Sequence, residues 1–438
     1  MILQRFRAAL ALGAVACALA VSAQAAEPAK VAATPTTFTL AVIPDTQNYV
    51  DWTHQKVAGY PFDGKDMFLD QLRFVAGRTV SQGGDIAFVT AVGDVWQHQT
   101  LKMDPDHAAR GLARVDNPIM DTHFAPTPKA LSVEAASARE GYEILAGKAP
   151  FSVVPGNHDY DAMWTDSRHP AAAAYDPKNP LSLGVLHPGG LDNWRSVFGD
   201  KSPFFAGKPW YVGAYNGGAD SAQIFTAGGY RFLHIGLEMA APDDVLAWAT
   251  KVINAHPGLP VIVSTHDHMD NTATRQPNPQ VDMKAVDPIH NNPEDVWTKF
   301  LSQNDRIFLV LSGHQHGQAY RVDPNVKGHK VYQLLSDYQD RGQTAIQAPG
   351  YKPQGYPPMV GDGWLRLMSF DMGGATPSIR VRTYSTHYKA FSSEVADYAK
   401  WYKPHEAPMA TDEAFLARDE FTIPLDDFRA RFGAPKTR

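Results

Sequence analysis

The sequence predicts an α/β fold with a largely parallel core, and three observations carry that expectation. Short apolar runs recur along the chain: FTLAVIP from Phe38, IAFVTAV from Ile86, VIV from Val261 and IFLVL from Ile307. Such runs are too short for core helices and suit strands covered on both faces. Amphipathic stretches lie between them. The first runs from Asp66 to Val80, with Leu69, Leu72, Ala76 and Val80 on one stripe. Strand, helix, strand in that order implies right-handed parallel crossovers. The third observation concerns the ends. Five apolar strands stop at a polar cluster: Asp45/Gln47, Asp94, Asn157/His158, His266 and His314/His316. Strands that point the same way end side by side, where ligands bind in open α/β sheets, so these clusters are expected to meet.

Composition narrows the class. The chain has 438 residues, 44% hydrophobic and 20% charged, enough for a sizeable core. The net charge of −6 comes with no basic block, so no nucleic-acid-binding patch is expected. Residues 1–25 read as a secretory signal peptide. Arg5 and Arg7 make a basic start, Ala8 to Val21 is apolar, and Ala23-Gln24-Ala25 fits a cleavage site. The run is too short and alanine-rich for a membrane span, so no transmembrane segment is expected once the signal is removed. Cys17, the single cysteine, lies inside that signal, and Ala14 three places before it disfavours lipidation. The mature chain is then free of cysteine, which excludes thiol nucleophiles and thiolate metal sites. The expected location is periplasmic or secreted.

Taken in order, residues 26–36 are rich in Ala, Pro and Thr and read as a linker. The strand from Phe38 ends at Asp45-Thr46-Gln47, and the strand from Ile86 ends at Gly93-Asp94. Residues 97–128 are polar and aperiodic and read as a long loop insertion. Ala130 to Gly147 is helical and leads to the strand Phe151 to Pro155. That strand breaks at Gly156 and presents Asn157, His158 and Asp159. Residues 161–202 read as a second long, irregular insertion. Trp210 to Tyr215, Ala222 to Thr226 and Tyr230 to Leu237 read as antiparallel strands, and a helix opens at Pro242. The strand from Val261 ends at Thr265-His266-Asp267-His268. Asn292-Pro293-Glu294 starts another helix, and the strand from Ile307 ends at Gly313-His314-Gln315-His316. Strands at Val331, Trp364 and Ser378 follow, and a tail from 391 to 438 is expected to pack on the domain 37–390. His234 reads as a satisfied core histidine. His268 reads as solvated, and His54, His98, His107, His123, His169 and His187 as mostly surface.

The ligand set is oxygen and imidazole without sulfur, which suits Mn, Fe, Zn, Co or Ni. It exceeds what one ion takes from protein, so two ions sharing a carboxylate fit better. Paired ions clamp an in-line displacement at phosphorus and acidify a water. The order Asp-x-Gln, Gly-Asp, Gly-Asn-His-Asp, His and Gly-His-x-His resembles the calcineurin-like metallophosphoesterase family over roughly 38–370. The resemblance implies a two-sheet αββα sandwich. It places Asp45, Gln47, Asp94 and His316 on one metal and Asp94, Asn157, His266 and His314 on the other, with Asp94 bridging. His158 would face the substrate and protonate the leaving group, oriented by Asp159. Two positions depart from the family pattern, Gln47 in place of His and Gln97 in place of Asp. The stretches Ser336-Asp337-Tyr338-Gln339 and Gly361-Asp362-Gly363-Trp364 are similar to secreted members.

The expected activity is hydrolysis of a small-molecule phosphomonoester or phosphodiester by a metal-bridging hydroxide. Two alternatives stand beside it. A hydroxyl nucleophile at Ser264 or Thr265 lacks a Gly-x-Ser-x-Gly elbow. A secreted metal-binding or interaction protein on the same fold, with weakened catalysis, would have no need of His158.

Overall fold

The computed structural model describes residues 35–176, 178–351 and 360–436. The signal peptide, Cys17 and most of the linker lie outside these residues. Two large sheets form the centre of the fold. In the first, the order is 390–391, 378–385, 364–371, 37–43, 86–91 and 151–153, with Phe421–Pro424 added on Ser378–Ser385. The second runs 317–324, 330–337, 307–312, 261–264, 230–236, 220–227 and 211–215. The central pairs of each are parallel: Thr37–Ile43 with Ile86–Ala91 and that strand with Phe151–Val153 in the first. In the second, Tyr230–Gly236, Val261–Ser264, Ile307–Ser312 and Lys330–Asp337 are parallel in turn.

Period-2 alternation decides which residues meet between the sheets. Along the first strand, Leu40 and Val42 face the second sheet, whereas Ala41 and Ile43 face the helices outside. Phe88 stacks on Phe225 with centroids 4.6 Å apart, and Phe38 stacks on Phe370 at 4.5 Å. Helices Gly64–Gly77 and Ala136–Leu145 cover the outer face of the first sheet through Phe68, Leu72, Tyr142 and Leu145. Helix Asp243–Ala255 and the turns Pro293–Leu301 cover the second through Leu246, Ile253 and Phe300. This is the expected αββα sandwich. The cap residues match their chemistry: Asp63 accepts from Lys65 N at 3.1 Å, and Asn292 and Asp295 cap each other's amides. His234 is satisfied between the layers, 2.8 Å from both Gln223 Oε1 and Ser264 Oγ.

Several expectations need correction. The two insertions are not irregular throughout. They contain helices Pro105–Ala109 and Pro118–His123, and a small sheet of Arg114–Val115, Ala162–Asp166 and Leu186–Gly189. The helix signal was legible in Asp104-Pro105 and Asn117-Pro118, each an N-cap followed by proline in the first turn. The strand Leu186–Gly189 hides because histidine, proline and glycine make up most of it, and Arg114–Val115 is only two residues long. His268 is buried and meets Gln333 Oε1 at 2.9 Å, and His54, His98, His107 and His187 are buried as well.

The tail is joined to the core by charge as well as by its strand. Arg341 is buried and pairs with Glu406 at 2.6 Å and Asp419 at 3.1 Å. Burial pushes the Glu406 carboxyl up to about 7, with Arg341 opposing. Replacing Arg341 by Met is expected to cost about 3–5 kcal/mol, because two buried carboxylates lose their partner. Urea unfolding with an unchanged midpoint would contradict this.

Candidate metal centre and cavity

The parallel strand ends converge as polar side chains require. Asp94, His266 and His314 bring ligand-type atoms within 4.8 Å of one another, all buried. Asp94 Oδ1 accepts from His158 N at 2.9 Å and lies 3.3 Å from His266 Nε2. Its Oδ2 accepts from Gln47 Nε2 at 3.1 Å. Asn157 Oδ1 lies 3.0 Å from His266 Nε2. His266 Nδ1 meets the Val92 carbonyl at 2.8 Å. A carbonyl only accepts, so Nδ1 carries a hydrogen and Nε2 is the ring's other face. In a neutral ring, three acceptors therefore converge at Nε2 with no hydrogen between them. A cation at that point satisfies all three.

Other atoms point the same way. Asp45 Oδ1, Gln47 Oε1 and His314 Nε2 are buried without a hydrogen-bond partner. Asp45 Oδ2 accepts from His314 N at 3.0 Å. Asp94 and His314 hold positive φ, at 51° and 71°, a costly conformation outside glycine that the surrounding contacts enforce. Gly156 and Gly313 make room for the carboxylates. A Cβ on Gly156 would sit 2.2 Å from Asp94 Oδ1, and one on Gly313 2.1 Å from Asp45 Oδ1. Gly156 has an ordinary φ of −98°, so space rather than a sharp bend requires glycine there.

His316 stands apart from this group. Its Nε2 lies 2.9 Å from Gln339 Nε2, Gln339 Oε1 meets Gln47, and its Nδ1 pairs with Asp340. Gln339 thus links His316 to Gln47 and Asp94, a role that reading the sequence does not assign. Its one signal is position, just past the strand Lys330–Asp337.

Electrostatics show strain that a cation relieves. Burial raises Asp45 well above the usual carboxylate range, and Asp337 adds to this. Burial opposes ionisation of Asp94 too, but the neighbouring imidazoles of His266 and His158 outweigh it and hold Asp94 low. Burial likewise disfavours a charged His266, yet Asp94 and Asp45 push it up to about 10, so a proton on Nε2 takes the place between the acceptors that a metal ion would otherwise fill. His314 is driven down by burial and then by His266. The residues present therefore fit divalent metal ions: buried acceptors outnumber the donors that could satisfy them.

His158 lines a cavity of about 630 Å³ over this centre. Its Nδ1 donates to the Gln97 carbonyl at 2.7 Å, leaving Nε2 to give and take a proton. Phe124 packs on the ring edge, 5.6 Å between centroids. Asp159 does not orient that ring. Its carboxylate accepts from Val95 N and Gly156 N, each at 2.8 Å, and from Trp96 N at 3.2 Å. A fully buried carboxylate collects the amides of the loops that carry Asp94 and Asn157, so Asp159 ties those loops together. Gln97 holds His158 through its main chain, which its side-chain identity does not reveal. The cavity wall comes from both insertions, with Met120 and Phe124 from the first and Leu183 and Leu186 from the second, and from Asn278 and Val281 of the loop after His266. Arg195 is held by Asn216 and Asp192 and is not among the residues lining this cavity.

A sequence model described as calcineurin-like phosphoesterase matches residues 39–318. An uncharacterized protein of Bacillus subtilis (strain 168), YvnB, is similar at 25% identity over 224 residues, 48% of this chain. The chain spans only 15% of that relative's length.

Proposed function

This chain belongs to the calcineurin-like phosphoesterase family, and on that premise we propose that it hydrolyses a phosphomonoester or phosphodiester of a small molecule at a dinuclear metal centre. The observation that carries the reading is the convergence of Asp94, Asn157, His266 and His314 beneath His158 at the floor of one cavity. Asp94, Asn157, His266 and His314 would hold one ion; Asp45, Gln47, Asp94 and His316 the other. Two bound ions would polarise the phosphoryl oxygens and make a water nucleophilic near neutral pH.

The chain's own residues supply the rest. Asp94 offers one oxygen to each side of the centre, because Gln47 meets Oδ2 while His158 N and His266 meet Oδ1. The Gln97 carbonyl holds a hydrogen on His158 Nδ1 in either charge state, so Nε2 is the nitrogen that takes up a proton and, in the imidazolium form, passes it to the departing oxygen. Met120, Phe124 and Leu186 exclude water from the cavity's apolar wall and select the substrate's leaving group. The leader-like first 25 residues support export. Among the described residues no helix is long and apolar enough to cross a membrane.

The test is a panel of phosphomonoesters and phosphodiesters assayed with added Mn, Zn, Fe, Co or Ni and again after a chelator. Turnover that a chelator removes and a metal restores is expected. Turnover of the whole panel unchanged by chelation would overturn the reading.

A further inference from the structure

A second cluster of metal-ligand type lies outside this centre and shares no residue with it. His107, His187, Asp287 and His290 are all buried, and their ligand atoms lie within 4.8 Å of one another. They come from three separate parts of the chain. His107 sits on helix Pro105–Ala109 in the first insertion, and His187 on strand Leu186–Gly189 in the second. Asp287 and His290 belong to the loop before helix Pro293–Val296.

Each imidazole is turned the same way. His107 Nδ1 meets Asp104 Oδ1 at 2.7 Å, His187 Nδ1 meets the Pro188 carbonyl at 2.6 Å, and His290 Nδ1 lies 3.3 Å from the Ala240 carbonyl. Acceptors on every Nδ1 leave every Nε2 facing inward. All three Nε2 atoms are buried without a hydrogen-bond partner, and His107 Nε2 lies 3.5 Å from Asp287 Oδ2. Asp287 Oδ2 also has Arg110 Nη2 2.6 Å away, so that carboxylate is shared between Arg110 and the ring cluster. The support is built as firmly as the cluster. Trp164 Nε1 donates to Asp104 Oδ2 at 3.2 Å, and a Cβ on Gly189 would fall 1.9 Å from that oxygen. His187 stacks on Trp164 at 5.2 Å.

A core of merely packed histidines would leave these polar atoms unsatisfied, at about 1–3 kcal/mol each. A metal ion satisfies them together. Hydrogen bonding of each imidazole's far nitrogen to a carboxylate or carbonyl is how metal-bound histidines are oriented. We infer that His107, His187, Asp287 and His290 bind one structural zinc ion that pins both insertions and the 265–292 loop into the wall of the cavity. Three nitrogens and one oxygen without sulfur complete a tetrahedral zinc shell with no open position. The same three chain segments supply Phe124, Leu186 and Val281 to the cavity, so the ion would hold the walls that choose the substrate.

The inference stands apart from the phosphoesterase reading, and metal analysis tests it without any assay of activity. Full-chain protein is dialysed and its zinc measured by mass spectrometry for wild type, His187→Ala, and the double variant Asp94→Asn with His314→Ala. The double variant is expected to retain one zinc per chain and His187→Ala to lose that one. A double variant that retains no zinc overturns the inference, as does a folded His187→Ala with the same zinc content as wild type. Cobalt(II) loaded into the double variant is expected to give the intense visible absorption of a tetrahedral site. A weak six-coordinate spectrum overturns the four-ligand assignment. If His187→Ala does not fold, the double variant and its cobalt spectrum decide.

Discussion

Asp94→Asn is expected to lower turnover by roughly 10³-fold or more, the scale of several kcal/mol of lost transition-state stabilisation. Asp94 faces both halves of the centre, through Oδ2 to Gln47 and through Oδ1 to His266 and the His158 amide. Asparagine keeps the shape and an acceptor for the His158 amide. It also tolerates the positive φ of 51° at this position. What it removes is one negative charge. The deficit would fall on the ions this centre is proposed to hold, so metal content should drop while far-ultraviolet circular dichroism stays that of the folded protein. Full activity in this variant would remove Asp94 from the centre of the mechanism.

His158→Ala separates proton transfer from metal binding. Its Nδ1 is occupied by the Gln97 carbonyl and its ring edge by Phe124, so the ring is aimed rather than free. Loss of a positioned general acid costs roughly 10²-fold or more, and the cost falls on substrates whose leaving group needs a proton. Esters with strongly acidic leaving groups should be nearly unaffected. Metal content should stay near that of wild type, because the main-chain amide of residue 158, not its ring, meets Asp94. A variant that loses both ions would show His158 to be a ligand instead.

The central strands were legible along the chain as short apolar runs. Leu40 and Val42 against Ala41 and Ile43 show why: an apolar strand must alternate between two covered faces, and neither face tolerates a charge. Polar residues placed directly after such strands had to gather at one edge. Asp94 and Asn157 follow neighbouring parallel strands of one sheet and His266 and His314 those of the other, and the two sheets packed face to face bring the pairs together. Less of the insertions was legible. Short strands such as Leu186–Gly189 carry no periodic signal of their own, and their burial comes from elements distant in sequence.

By itself, the sequence determined which residues stand at the strand ends and that their chemistry is oxygen and imidazole. The αββα layering followed from the resemblance of its motifs to the calcineurin-like family, not from the strands alone. Only the tertiary structure decided what those residues touch. Asp159 reaches three amides of neighbouring loops instead of His158, and Gln339 comes between His316 and Gln47. His107 and His187, read as mostly surface from their place in irregular segments, face each other at 4.4 Å in a buried cluster with Asp287 and His290. Hydrogen-bond partners and burial depend on how distant segments pack, and one sequence does not encode that locally.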